Sequence, residues 1–375
     1  KRIIMRILFV LLLSFLFEVT YSDTLILPMR ERAEVIDQII DERIATVLPD
    51  LMERTDIDMW VIISREYNED PVIRTFLPST WQSARRRTIL LIFNPGEGQP
   101  LETLAVARYG VGKTFIKAWD KELHGDQWKR LAQLIKERNP NRIGLNYSDT
   151  FALADGITHT EYDLLLESLE PELRGRVVSA EELAVGWLET RSKLEMTIYQ
   201  QICRIAHEIL ASGLTDEVIQ PGVTTTNDVA WWYRDRIREL KLTTWFHPSV
   251  SIQRESTPAV DVKTSLLARH DDNVIMPGDL LHVDFGITYL RLNTDTQQHA
   301  YVLKTDEADV PEELKIAMRN GNRLQDILTD EFAVGRTGNE VLFSALDKAK
   351  KEGIRPSIYT HPIGFHGHAA GSTIG

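Results

Sequence analysis

Two aspartates eleven positions apart carry the most visible chemistry in this sequence. Asp284 closes the alternating segment LLHVD at 280–284, and Asp295 follows in a second alternating segment. Because both arms alternate as strands do, they predict a β-hairpin. With a turn centred between Tyr289 and Leu290, the two aspartates would lie directly opposite each other, with Cβ atoms about 4.5–5.5 Å apart.

Two carboxylates this close repel each other unless a proton or a cation lies between them. A divalent metal ion removes that repulsion, so the hairpin predicts a shared metal site at Asp284 and Asp295. The alternative is a solvent-exposed hairpin with two unpaired acids. The apolar residues that flank both arms favour a buried hairpin and therefore the metal site.

A cluster of histidines supplies a second set of candidate ligands. His361, His366 and His368 fall within eight residues, although the whole chain has only ten histidines. A lone histidine is usually a satisfied polar residue, whereas a cluster beside glycines suits metal binding or proton transfer. Chance clustering is the alternative interpretation.

The elements that must position these residues follow from the apolar spacing. A long amphipathic helix is predicted over 192–212, followed by the turn 222–224 and a second helix. The same order returns with a helix at 311–332, the turn 335–337 and another helix, at an offset of about 113 residues. This internal echo predicts two similar halves.

The preceding part of the chain, from about 30 to 180, alternates helical and extended patterns and predicts an α/β domain. Neither of the glycine-rich phosphate-binding patterns GxGxxG and GxxxxGK[ST] occurs in it. A domain boundary is expected near 186–191. Helices are predicted over 36–51 and 126–138, and strands over 59–64, 88–93, 103–108 and 142–146.

The first 22 residues are typical of a secretory signal peptide. A basic start precedes an apolar run at 7–17, too short to span a bilayer, and cleavage is expected after Ser22. We therefore expect an exported protein, periplasmic or secreted, and the alternative is an uncleaved membrane anchor. The chain opens with Lys1, while Met5 has the features of a natural start, which suggests a fragment or an over-extended gene.

Composition excludes some functions. The chain has 375 residues, with 55 acidic and 43 basic side chains and a net charge of -12, so its surface should repel nucleic acid. The single cysteine, Cys203, cannot form an internal disulfide.

Together these residues resemble the pita-bread metallopeptidases: aminopeptidase P, prolidase and methionine aminopeptidase, with creatinase as a metal-free relative. Asp284 and Asp295 match that family's aspartate pair, and His361, in a His-x-x-Gly pattern, matches its third metal ligand. His368, seven positions later, matches a histidine that contacts substrate and assists proton transfer. His270 is the best match to a further histidine upstream, although its spacing is shorter than usual.

The resemblance covers about 190–375 and implies an α+β architecture. Residues 23–188 would form a creatinase-like N-terminal α/β domain, and 189–375 a pita-bread catalytic domain with pseudo-twofold symmetry. The family completes its metal site with two glutamates on later strands, and none follows Gly375 in this sequence. We therefore expect the catalytic domain to be partial and the chain as given to be inactive. The segment 248–254 lacks the Ser-Gly pattern of aminopeptidase P, which leaves proline specificity open.

The function implied is a metal-dependent exopeptidase that hydrolyses short peptides, with Xaa-Pro bonds among its substrates, through a metal-bridged hydroxide. Two divalent ions are implied, with Mn²⁺ favoured and Co²⁺ or Zn²⁺ as alternatives. His270 would help to stabilise the oxyanion, and His368 would orient the substrate or handle the proton of the leaving amine. If this ligand set fails, His366, His368 and His282 are the alternative ligands.

Two other functions stay open at this point. One is a creatinase-like amidinohydrolase, against which the retained Asp284 and Asp295 argue. The other is a pita-bread binding module without metal. The expected partner is a peptide substrate, with no nucleic acid, no membrane after signal cleavage, and a homodimer compatible with the sequence.

Overall fold

The computed structural model describes residues 26–96, 98–254, 273–368, 371 and 373–375. The predicted signal peptide and its cleavage site at Ser22 lie outside these residues, as does His270. The chain divides into two compact units. The hairpin unit takes residues within 1–32, 197–289 and 293–309, and the large unit takes 33–196, 290–292 and 310–375. The predicted domain boundaries, 23–188 and 189–375, are placed differently and remain predictions.

A six-stranded sheet organises the large unit. Its strand order is β4-β3-β2-β1-β5-β6, with antiparallel pairs at β1–β2 and β2–β3 and parallel pairs at β3–β4, β1–β5 and β5–β6. The strands are β1 Met59–Arg65, β2 Arg87–Phe93, β3 Glu102–Val106, β4 Ile116–Lys117, β5 Ile143–Leu145 and β6 Val177–Ser179. The predicted strands at 59–64, 88–93, 103–108 and 142–146 are thereby confirmed to within two residues at either end.

Helices cover both faces of this sheet. They are α1 Met29–Thr46, α2 Leu48–Arg54, α3 Ile73–Phe76, α4 Lys121–His124, α5 Gln127–Arg138, α6 His159–Ser168, α7 Pro171–Arg174 and α8 Glu181–Glu189, with a 3-10 turn at Ala152–Ala154. Alternation along β1 sends Trp60 and Ile62 into a core with α1, α2 and α8, and Val61 and Ile63 into a core with α5 and α6. The central strands are buried on both faces, as apolar runs without alternation predict.

Local signals explain where two of these helices begin and end. Helix α5 starts after Asp126, whose carboxylate accepts a hydrogen bond from the Lys129 N–H, and it stops at Asn139 in the left-handed conformation. The predicted helix over 36–51 is instead two helices, α1 and α2. Pro49 lies in the first turn of α2, where its missing N–H is tolerated.

A three-stranded antiparallel sheet, ordered β11-β8-β7, forms the centre of the hairpin unit. The elements around it are α9 Lys193–Ser212, α10 Thr226–Glu239, β7 Ser249–Gln253, β8 Leu280–Phe285, β9 Thr288–Tyr289, β10 Leu292–Asn293 and β11 Thr296–Tyr301. Asp284 lies within β8, and Asp295 comes directly before β11.

The internal echo of the sequence has a structural counterpart. The remaining elements are α11 Glu312–Glu331, α12 Gly338–Lys351, β12 Ile363–Gly364 and β13 Gly367–His368. Helices α9 and α11 each have 20 residues, while α10 and α12 each have 14. Both shorter helices begin with a capping box, formed by Thr225 with Asp228 and by Thr337 with Glu340. No helix in the described part of the chain is long and apolar enough to span a membrane.

Candidate metal centre

Strand β8 presents one apolar and one mostly polar face. Leu281, Val283 and Phe285 are buried, whereas His282 and Asp284 alternate with them and are only half-buried. Because successive side chains of a strand point to opposite faces, His282 and Asp284 must share one face of the sheet. This alternation confirms that the segment is a strand with a buried side and a side available for ligands.

The register of the hairpin differs from the predicted one. Gln297, and not Asp295, lies directly opposite Asp284. Asp295 comes just before β11, two residues ahead of Gln297, and by alternation it belongs to the same face. The aspartates are therefore diagonal neighbours, for which backbone separations of about 7–8 Å are typical. The prediction that they are directly opposed is wrong.

The turn explains this correction. Leu290 and Arg291 both have positive φ, 55° and 64°, so the two-residue turn is centred between them, one residue later than predicted. Moving the centre by one residue moves the pairing by two. Such turns usually carry asparagine or glycine, and because neither occurs here, the sequence contains no signal for the turn position.

Burial of the hairpin is confirmed only in part. The apolar side of β8 is buried, and Asp284 is half-buried, but Asp295 is exposed. An exposed carboxylate beside a half-buried one is accessible to a metal ion and to substrate. The expected burial of both acids is therefore wrong for Asp295.

A nearby third aspartate has a structural role. Asp279, fully buried at the start of β8, binds Arg254 through two hydrogen bonds of 2.7 and 2.8 Å and also accepts the Met276 N–H at 2.8 Å. The bond to Asp279 raises the pKa of Arg254. These contacts satisfy the buried carboxylate, so Asp279 fastens the end of β7 to the start of β8.

In the large unit, a short hairpin holds the histidine cluster. Ile363 pairs with His368, and Gly364 with Gly367, whose φ of 89° suits a residue without a Cβ. The rings of His361 and His368 meet edge to face, with centroids 4.3 Å apart. These two predicted site residues are thus brought together by the backbone.

One hydrogen bond fixes the tautomer of His361. Its Nδ1 lies 3.0 Å from the carbonyl oxygen of Pro362, and since a carbonyl can only accept, Nδ1 must carry the proton. Nε2 is then the ring nitrogen that a metal ion would use. Metal-binding histidines commonly donate the other ring N–H in this way.

His366 makes a hydrogen bond to the N-terminal part of the large unit. Its Nε2 donates to the carbonyl oxygen of Pro71 at 2.9 Å. Burial lowers the pKa of His366, and nearby Arg74 lowers it further, so the neutral ring is favoured. His366 therefore anchors the histidine hairpin to the N-terminal part of the large unit.

Sequence reasoning missed one histidine. His299 on β11 lies directly opposite His282 on β8, with ring centroids 5.0 Å apart. Partial desolvation of the ring lowers the pKa of His299, although the residue as a whole is exposed, and the neighbouring His282 ring adds to the effect. The pair can be recognised from the sequence only if the strand register is known. The register could not be predicted, because the turn contains neither glycine nor asparagine.

The structure thus describes four of the five predicted site residues in two sets. Asp284 and Asp295 share a face in the hairpin unit, and His361 and His368 are in ring contact in the large unit. The fifth, His270, lies outside the described residues. Carboxylate and imidazole groups are donors that suit divalent metal ions such as Mn²⁺, Co²⁺ or Zn²⁺.

Comparison with known proteins gives a family match for the second half of the chain. Residues 197–374 match the model of metallopeptidase family M24. The match includes the aspartate hairpin and the histidine cluster, so this part of the chain is similar to the pita-bread metallopeptidases, whose enzymes depend on two metal ions. No curated protein sequence matches the chain.

Solved structures give the same fold. The X-Pro aminopeptidase of Thermotoga maritima MSB8 aligns with a TM-score of 0.57 and 16% identity, covering 86% of this chain and 84% of its own. The Xaa-Pro dipeptidase of Bacillus anthracis aligns at 0.53 and 16%, covering 92% and 84%. The prolidase of Pyrococcus horikoshii OT3 aligns at 0.52 and 15%, covering 90% and 83%. The protein therefore has the mixed α/β pita-bread fold, which confirms the fold expected from the sequence.

Proposed function

We propose that this protein is a metal-dependent exopeptidase that cleaves short peptides at Xaa-Pro bonds. The observation that carries the proposal is that one family match, over 197–374, contains both candidate donor sets. The preference for proline is supported by the names of two structural relatives, an X-Pro aminopeptidase and an Xaa-Pro dipeptidase.

Asp284, Asp295 and His361 would hold the metal ions. The donor chemistry fits: two carboxylates share a strand face, and His361 is held in the tautomer that presents Nε2. Carboxylate and imidazole donors accept Mn²⁺, Co²⁺ or Zn²⁺, and we propose Mn²⁺. When bound, the ions supply an activated water and polarise the scissile carbonyl.

The remaining site residues would orient the peptide and move protons. A ring nitrogen of His368, beside His361, would hold the proton that passes to the leaving amine. His270 would donate a hydrogen bond to the oxyanion. Asp295, exposed at the start of β11, would leave the centre open to a substrate.

Metal removal and reloading test the proposal. Protein purified from its native host should lose hydrolysis of an Xaa-Pro-Xaa tripeptide on chelation and regain it with Mn²⁺. Asp295→Ala should abolish the activity, whereas Gln298→Ala, on the opposite face of the same hairpin, should retain it. An Xaa-Pro dipeptide assayed in parallel separates an aminopeptidase from a dipeptidase.

Three outcomes would overturn the proposal. Full hydrolysis after chelation would exclude a metal mechanism. Peptide binding without hydrolysis would indicate a binding module. Turnover of a guanidino compound without metal would indicate a creatinase-like amidinohydrolase.

We further propose that the mature protein begins near Asp23 and is exported. The support is the basic, apolar and small-residue order of the first 22 residues. N-terminal sequencing of protein from the native host tests this, and a start at Met5 in the soluble cytoplasmic fraction would contradict it.

A further inference from the structure

Two histidines on neighbouring strands form a pair outside the candidate metal centre. His282 on β8 lies directly opposite His299 on β11, and their ring centroids are 5.0 Å apart at an angle of 46°. Directly opposed residues keep their Cβ atoms about 4.5–5.5 Å apart. The strand backbones, and not two flexible chains, therefore bring the two imidazoles together.

A third donor lies beside this pair. The side-chain oxygen of Gln297 accepts a hydrogen bond from His282 Nε2 at 2.9 Å. His282 is half-buried, and His299 is exposed, so solvent and ions can reach the rings. Two imidazoles and an amide oxygen make a nitrogen-rich donor set, unlike the carboxylate pair at Asp284 and Asp295.

We propose that His282 and His299 form a second metal site, specific for a borderline divalent ion such as Cu²⁺ or Zn²⁺. Zinc–nitrogen bonds of about 2.0–2.1 Å in a tetrahedral site place two nitrogens about 3.3 Å apart. Opposed rings at this separation reach that distance by small side-chain rotations, once His282 releases Gln297. Imidazole nitrogen selects Cu²⁺ and Zn²⁺ over the ions that carboxylates prefer.

Such an ion would fasten β8 to β11. One ligand comes from each strand, so the bound metal acts as a cross-link within the sheet that also carries Asp284. This proposal goes beyond the proposed peptidase function and holds if that function fails, because it needs no substrate and none of the residues assigned to the candidate centre.

Cu²⁺ titration followed by electron paramagnetic resonance tests the second site. The parent variant is D295A/H361A/H368A, which removes the candidate centre and leaves the pair intact. It should bind one Cu²⁺ with the nitrogen hyperfine pattern of two imidazoles. Adding His282→Ala or His299→Ala should abolish that signal, and adding His207→Ala, an exposed histidine on α9, should leave it unchanged.

Two results would overturn the proposal: a parent variant that folds, as judged by circular dichroism, yet gives no two-imidazole signal, or a signal that survives both histidine substitutions. If the parent does not fold, wild-type protein preloaded with Mn²⁺ is compared with His299→Ala and His207→Ala. Equal Cu²⁺ signals from all three proteins would then refute the site.

Discussion

The two main sheets of this chain use their strands in different ways. In the six-stranded sheet, β1 buries six consecutive residues and β2 buries five, because helices cover both faces. In the three-stranded sheet, β8 alternates buried and half-buried residues, and β11 has no buried residue. The first sheet is a core, and the second offers one face to ligands.

This difference shows which strands of the fold can carry ligand-binding residues. A strand that is buried on both faces leaves no position for a charged ligand group, since desolvation would neutralise it. A strand with one open face can present Asp284 and His282 while Val283 and Phe285 hold it in place. Substitutions in the two sheets should therefore separate stability from ligand binding.

The largest effect on stability is expected at the centre of β1. Ile62 is fully buried, and Ile62→Ala should lower the free energy of unfolding by about 2–5 kcal/mol, through lost burial and the cavity left behind. His299→Ala, at an exposed position of β11, should change it by no more than about 0.5 kcal/mol. Urea unfolding monitored by circular dichroism measures both values. If both substitutions changed the free energy of unfolding equally, the proposed difference between a core sheet and a ligand-binding sheet would be wrong.

The next largest effect on stability is a pH dependence that comes from Asp70, a carboxyl group buried beside the six-stranded sheet. Asp70 accepts hydrogen bonds from the Val72 N–H at 2.7 Å and from the Asn146 amide at 2.9 Å, and Asn146 accepts one from Trp60. Burial nevertheless raises the pKa of Asp70 to about 6. The folded state therefore holds a proton on Asp70 at pH values where the unfolded state does not.

This raised pKa fixes the sign of a pH dependence. Between the unfolded pKa of about 4 and the folded pKa of about 6, the folded state binds more protons, so the free energy of unfolding falls as the pH rises. The fall should total about 3 kcal/mol and be complete above pH 6. Urea midpoints of wild type and Asp70→Asn, compared from pH 4 to pH 7, should diverge by this amount. Parallel curves would contradict the protonation of Asp70.

A smaller effect on stability is expected at the contact between the histidine hairpin and Pro71 in the large unit. His366→Ala removes the hydrogen bond to the Pro71 carbonyl and should cost about 0.5–1.5 kcal/mol. It should also move the imidazole resonances of His361 in an NMR spectrum, because the hairpin loses its anchor. His366→Gln keeps an N–H donor and should restore part of both. If glutamine behaves as alanine does, the contact does not position the hairpin.

Much of the fold was predictable, for physical reasons that differ between the sheets. The runs MWVIIS and TILLIF are apolar without interruption, which strands buried on both faces require, and both strands were located from that pattern. Asp126 and Asn139 bracket α5 as a cap and a left-handed stop, so this helix was also predictable. The break at Pro49 was missed because the apolar spacing continues across it.

The site was predictable in its residues but not in its register. Residue types and spacing singled out Asp284, Asp295, His361 and His368, yet the pairing depends on a turn at Leu290 and Arg291 that carries no glycine or asparagine. The position of His299 opposite His282 follows from the same register and was missed for the same reason. Local sequence patterns identify strands, whereas cross-strand neighbours depend on the conformation of the turn between them.

Metal content of single variants tests the central claim most directly. Wild type, Asp284→Ala, Asp295→Ala and Gln298→Ala, each loaded with Mn²⁺ and freed of unbound ions, are analysed by mass spectrometry after circular dichroism has verified folding. Both aspartate variants should lose the bound metal while Gln298→Ala retains it, because the carboxylates bind the ions and the control residue lies on the other face. Full stoichiometric metal in either aspartate variant would contradict the assignment of this strand face as the metal centre.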